Sequence, residues 1–248
     1  MIYGRSLVTC AAFLSLGING LTFTFLGTSL PVIREYLNIG IEQAGHLMAM
    51  LQIGFTVFSL VGGILTDRFR CERILMLGCF ILGISSLLFC ALPLFGLNLI
   101  IALAMGSGLG CILSGSNSLL IQLYPLRKGA ILNIHHVFFG LGSLTGPLLM
   151  GLLIAGSIGW RGGYLGQALV LLLLAALFFR SGGEQPKKMS RSRLTAHMVE
   201  LIHDSQFRVI LIVNLLTMGS QVALLLLGVT FLIEGKGFSL YIGGIALS

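Results

Sequence analysis

Two adjacent histidines, His135 and His136, stand inside a long apolar run. Imidazole changes charge near neutral pH, and a titratable group within a membrane-length apolar stretch is costly to keep. On a helix the two rings point about 100° apart, so one face can use only one of them. His136 shares a face with Asn133 and Gly140 and is assigned to function, whereas His135 is assigned to structure or a helix interface. Other apolar runs carry polar and small residues at i, i+3, i+4 and i+7 spacing. These are Ser15, Asn19 and Thr22; Gln52, Thr56, Ser59 and Gly63; Gly110, Ser114 and Asn117; and Asn214, Thr217 and Gln221. Each set follows one helix face. Such stripes have two uses: they hydrogen-bond a polar solute, or they seam helices together through small residues and shared hydrogen bonds. The first use selects Asn19, Gln52, Asn117, Asn133, His136 and Gln221 as substrate-binding residues.

Enzyme chemistry is not expected. The eight acids, Glu35, Glu42, Asp67, Glu72, Glu184, Glu200, Asp204 and Glu234, all fall between apolar runs or at their ends. The two histidines are adjacent rather than at i, i+4, so they lack the spacing of a helical metal site. Cys10, Cys79, Cys90 and Cys111 lie in apolar runs, Cys71 lies in a loop, and there is no CxxC pair. No metal, disulfide framework or cofactor is indicated.

The elements that position these residues are membrane helices. Of the 248 residues only 9% are charged while 56% are hydrophobic, and mean hydropathy is +1.01. A soluble domain carries about 25% charged residues. The composition therefore excludes a soluble enzyme, a nucleic-acid-binding domain and a disordered chain. A span needs about 20 apolar residues. Six candidates follow one another, at Leu7–Leu30, Ala44–Leu65, Ile74–Leu92, Leu97–Leu123, Ile131–Ile154 and Tyr164–Phe179, with a seventh at Val209–Ile233 and an eighth beginning near Phe238. The first run is too long for a cleaved signal peptide. Positive charge collects on the cytoplasmic side of membrane proteins. With the N-terminus cytoplasmic, all 15 Lys and Arg except Arg34, Arg161 and Lys236 fall on that side. The net charge of +7 is thus read as orientation.

The expected organisation is a six-helix bundle at residues 1–180, a basic cytoplasmic linker at 181–207 with a short amphipathic helix, and one to two helices of an incomplete second bundle at 208–248. Spans 1, 2, 4, 5 and 7 are expected around a polar interior, with spans 3 and 6 facing lipid.

Between spans 2 and 3 stands Gly63-Ile64-Leu65-Thr66-Asp67-Arg68-Phe69-Arg70-Cys71-Glu72-Arg73. This resembles the G-x-L-x-D-R-x-G-R-[RK] loop of the major facilitator superfamily. Gly63, Asp67 and Arg68 match; Arg70 replaces a glycine, and Cys71 and Glu72 replace basic residues. The resemblance implies a conformational latch, with Gly63 allowing close helix approach. Gly142-x-x-x-Gly146-Pro147 in span 5 resembles the Gly-Pro-rich fifth-helix motif of the same superfamily. Leu132-Asn133-Ile134-His135-His136-Val137-Phe138-Phe139-Gly140-Leu141-Gly142 looks like a segment of the fucose permease-like sugar symporters, and Gly27-Thr28-Ser29-Leu30-Pro31 is also similar to that group.

The resemblance implies an all-α polytopic fold built as a 3+3 inverted repeat. It also implies alternating-access transport of a small polar solute such as a sugar, with a proton or sodium ion as coupling partner, in a plasma or bacterial inner membrane. Related members often carry a Glu in span 7 where Gln221 stands, which leaves His136 as the intramembrane titratable candidate. The alternatives are a drug or metabolite exporter of the same superfamily, or a truncated, non-transporting fragment.

Overall fold

The computed structural model describes residues 4–181 and 203–238. Among them, six helices are long and apolar enough to cross a membrane. They are α1 (Arg5–Leu37), α2 (Ile41–Thr66), α3 (Cys71–Ala91), α4 (Phe95–Leu123), α5 (Lys128–Ala155) and α6 (Gly159–Arg180). A seventh, α7 (Ser205–Thr230), lies against α1 and ends in a π turn, Phe231–Gly235. Helices are forced here because hydrocarbon offers no partner for a backbone amide. The breaks fall where turn chemistry permits. Asn38 closes α1 in the left-handed conformation with φ 52°, and Gly159 opens α6 from φ 73°. The expected surface helix before residue 203 and the eighth span fall outside the described residues.

Pairing follows an inverted repeat. α1 packs along α5 and α2 along α4, while α3 packs on α4 and α6. The closest contacts match one another in a constant register. A side chain at Gly20 would strike the Phe139 carbonyl and crowd the Ser143 amide; one at Gly106 would strike the Leu51 carbonyl and crowd the Phe55 amide. Likewise Gly142 faces the Gly17 carbonyl and the Leu21 amide, as Gly54 faces the Leu103 carbonyl and the Ser107 amide. Gly17, Gly20 and Leu21 of α1 thus correspond to Leu103, Gly106 and Ser107 of α4. Phe139, Gly142 and Ser143 of α5 correspond to Leu51, Gly54 and Phe55 of α2. Two three-helix units with opposite helix directions share one packing solution. Small residues carry it because helices in lipid associate through close backbone approach.

One expectation needs correction. Gly63 does not provide the close approach at the end of α2, since a side chain there would meet open space. Its neighbour Gly62 does so, against Ser114 and Cys111 of α4. Within the described bundle the helices differ in how far they are enclosed. α1 and α4 are the most enclosed helices, α3 and α6 are intermediate, and α2 and α5 are the most uncovered. The reason is the pairing itself: α3 and α6 bury one face on each other, whereas α2 and α5 each spend their packing face on one inner helix.

A polar chain ties the layers. Thr22 donates to Gln167 Oε1 at 3.2 Å, Gln167 Nε2 donates to Ser86 Oγ at 2.8 Å, and Ser86 donates to the Leu82 carbonyl at 2.8 Å. Thr22 and Gln167 therefore belong to packing, linking α1, α6 and α3.

Candidate functional site

The uncovered face of α5 presents Asn133, His136 and Gly140 along one stripe, with Asn133 and His136 exposed. α2 offers its counterpart. In the register above Gln52 corresponds to Gly140, so the two stripes occupy related faces on either side of α1 and α4. Gln52 is half-buried, and its Oε1 has no hydrogen-bond partner among the described residues. Between the two helices, Phe23 of α1 touches Phe55 of α2 edge-on at 5.1 Å and Phe139 of α5 at 6.2 Å. This aromatic group was not singled out from the sequence, because phenylalanine in an apolar run carries no periodic signal of its own.

Asn19 is elsewhere. It is 1% exposed, closed inside the bundle, and its Nδ2 donates to the Leu109 carbonyl of α4 at 3.0 Å. Its Oδ1 is unpaired among the described residues. In this conformation Asn19 is a contact between the two inner helices and is not on the uncovered face. Gln221 lies within α7, and its side chain is outside the described residues.

Asn117 is held by a neighbour that the sequence reading assigned to structure. His135 is fully buried; its Nδ1 lies 3.1 Å from the Asn117 side-chain oxygen and its Nε2 3.2 Å from the Ala12 carbonyl. A neutral ring donates from Nε2 to Ala12, which leaves Nδ1 as an acceptor. That acceptor is matched when the Asn117 amide turns its NH2 group toward it. The imidazole thus joins α1, α4 and α5 at one point. Phe13 packs on its ring at 5.7 Å, and the His136 ring lies 5.9 Å away on the outer side. Ala12, Asn117 and His135 each stand six or seven residues from the helix end on the same side, about 10 Å inward at 1.5 Å per residue. The predicted residues therefore divide by depth. Asn19 and Gln52 lie near the middle of their helices, while Asn117, Asn133 and His136 lie nearer the end that gathers the basic residues.

That end is laced together. Arg5 donates to the Leu123 carbonyl and stacks over Tyr124 at 4.0 Å. Thr66 of α2 and Ser118 of α4 share a 3.1 Å hydrogen bond. Asp67 ends α2 but makes no ion pair or side-chain hydrogen bond among the described residues, and Arg68 is exposed. Arg70, in place of the glycine, reaches across to donate to the Ser181 carbonyl beyond α6 at 2.7 Å. In span 5, Gly142 and Gly146 form a contact face, against Gly17 and Thr24 of α1, and Pro147 is buried inside the helix.

Together the six paired spans and the two polar-edged faces define a multi-pass membrane protein of inverted-repeat type. Residues 12–248 match the Major Facilitator Superfamily, and the chain belongs to that family. It is a membrane transporter fold, not an enzyme. The hexuronate transporter of Bacillus subtilis is 24% identical over 178 residues, covering 71% of this chain and 42% of that protein. The enterobactin exporter EntS of Citrobacter koseri is 26% identical over 228 residues, covering 87% of this chain and 54% of that protein. The crystal structure of a bacterial homologue of the human lysosomal transporter Spinster, inward-facing and unoccupied, superposes with a TM-score of 0.77 at 16% identity. That match covers 98% of this chain and 58% of the other. The chain thus spans about half the length of the relatives it matches.

Proposed function

We propose that the chain forms the first six-helix bundle, the linker and the first part of the second bundle of a transporter for a small polar solute, a sugar or sugar acid. Transport is by alternating access, and the N-terminus is cytoplasmic. The observation that carries this reading is the exposed stripe of Asn133 and His136 on α5, flanked across the inner helices by Gln52 on α2. A second bundle packed over these faces turns the stripes into the wall of a cavity near the bilayer midplane, where transporters of this build place their substrate. Asn133 and Gln52 hydrogen-bond hydroxyl groups, and Asn117 supports the same wall from behind. Gln221, carried on α7, is assigned to the same solute site. His136 accepts or donates a hydrogen bond and carries the coupling proton, since the described spans hold no carboxylate deep within them; sodium coupling is the alternative. Asp67 and Arg68 engage the opposing bundle in one state and release it in the other. Similarity to the hexuronate transporter supports the solute class.

The test is uptake of labelled glucuronate, with glucose as the neutral comparison, by cells expressing a transporter in which this chain is completed by a whole second bundle. His136→Ala is expected to lower uptake at least tenfold while membrane insertion is unchanged. Uptake equal to wild type removes His136 from the site, and no uptake of either probe by the wild type removes the solute class. Similarity to the enterobactin exporter supports a second reading, export of a larger metabolite. Accumulation in inside-out but not right-side-out vesicles would select it.

A further inference from the structure

A cleft lies between the first turn of α3 and the last turn of α6, at the basic end of the bundle. Arg70, Arg73, Met76, Phe178, Phe179 and Ser181 line about 220 Å³ of space. Its mouth is cationic and its floor apolar. Arg70 is already committed on one edge: Nη2 donates to the Ser181 carbonyl, and the Glu72 carboxylate stands 3.9 Å from Nε. That separation is too long for a hydrogen bond, and Nε is buried and unpaired. Arg73 is exposed, and its side chain makes no ion pair or hydrogen bond among the described residues. The lining thus holds two arginines and no acid, with Glu72 beside Arg70, and the cleft keeps a positive balance.

The depth and the surroundings select the ligand. Arg70 immediately precedes α3 and Arg73 lies in its first turn, at the level where a spanning helix enters the headgroup region. Below Arg73 on the same helix face stand Leu77 and Phe80, 44% and 52% exposed. On α6, which packs along α3, Leu169, Leu173 and Phe179 are exposed. A guanidinium pair above two exposed apolar rails matches a phosphate with acyl chains attached. It does not match a soluble anion, which gains nothing from the rails, and a zwitterionic phospholipid fits less well, because its own ammonium group offsets the phosphate charge and is repelled by the arginines. Basic pockets between membrane helices at the leaflet surface are suited to such headgroups.

We propose that this cleft is a binding site for an anionic membrane phospholipid. The exposed Arg73 holds the phosphodiester, Arg70 adds its positive charge at the edge of the cleft, and an acyl chain runs past Met76 and Phe179. The lipid fastens α3 to α6 on the outer side of the bundle, opposite the contact each makes with the inner helices. This site does not depend on the solute or on the direction of transport.

The full chain is purified in detergent, and thermal unfolding is followed with added phosphatidylglycerol, phosphatidylcholine or inorganic phosphate. Bound lipid is counted by native mass spectrometry. Phosphatidylglycerol is expected to raise the unfolding temperature and stay bound, phosphatidylcholine to do both to a clearly smaller degree, and inorganic phosphate to do neither. Arg73→Gln is expected to lower phosphatidylglycerol retention about fivefold, the contribution of one surface cation. Arg127→Gln, on the same end but outside the cleft, is expected to leave retention unchanged. Arg70→Lys, which keeps the charge but loses the planar fork, serves as a milder second variant and is expected to weaken retention without unfolding the chain. Equal effects of the two phospholipids, equal protection by inorganic phosphate, or equal loss in Arg73→Gln and Arg127→Gln would each overturn the proposal.

Discussion

His135 and His136 differ by one position and end in opposite environments. His135 spends both ring nitrogens on partners from α4 and α1, and none of its surface is exposed. His136 is exposed beside it. The sequence could say that the two rings diverge, but not which would be inward, because Asn and His serve equally as packing contacts and as solute ligands in a membrane. Knowing that Asn117 and Ala12 flank one ring requires the tertiary fold. The two positions should separate experimentally. His135→Ala removes two interhelix contacts and leaves Asn117 without its partner, so a loss of about 1–3 kcal/mol in stability is expected. In detergent, thermal unfolding of His135→Ala should therefore fall clearly below wild type, while His136→Ala unfolds at the wild-type temperature. The reverse order would mean that the buried ring is not a tie between helices.

Helix positions were legible because a bilayer demands long apolar runs: the first, second, fourth, fifth and sixth helices contain their expected segments, and the third and seventh end one and three residues before theirs. Helix faces were less so. Glycine is frequent on every side of these helices, and spacing alone does not show which glycines meet a backbone. Gly142 and Gly106 meet carbonyls, Gly146 meets the Thr24 side chain, and Gly62 rather than Gly63 makes the close approach, against the Ser114 side chain. The enclosure of α1 and α4 came from the pairing order, which hydropathy does not encode. The repeat makes a sharp prediction at this scale. Gly142→Ala in α5 and Gly54→Ala in α2 place a methyl group against carbonyls at corresponding contacts, and overpacking of this kind costs about 1–3 kcal/mol. Both should lower the unfolding temperature to a similar degree. Gly63→Ala and Gly151→Ala meet open space and should unfold like wild type. A destabilised Gly63→Ala beside an unaffected Gly54→Ala would contradict the packing register.

On the scale of the whole molecule, the uncovered faces of α2 and α5 must meet either lipid or a second bundle, and the two outcomes differ in water access. The exposed surface mixes Asn133, His136 and Thr56 with Ile53, Val57, Leu141 and Leu144. A fully lipid-facing helix has no use for the first group, and a water-filled wall has limited use for the second. A bundle interface that opens and closes uses both. Asn133 lies in the half of α5 nearer the basic end, so in a rocking transporter it is wetted when that end is open. A Cys10→Ser background removes the one exposed native thiol among the described residues. In that background, Asn133→Cys should react with a membrane-impermeant maleimide in inside-out vesicles and far less in right-side-out ones. A transported solute should change the rate at least severalfold. Ser15→Cys, at a fully buried position in α1, should stay unlabelled throughout. Failure of Asn133→Cys to react in either vesicle orientation would place this face against lipid, and with it the polar stripe outside any solute path.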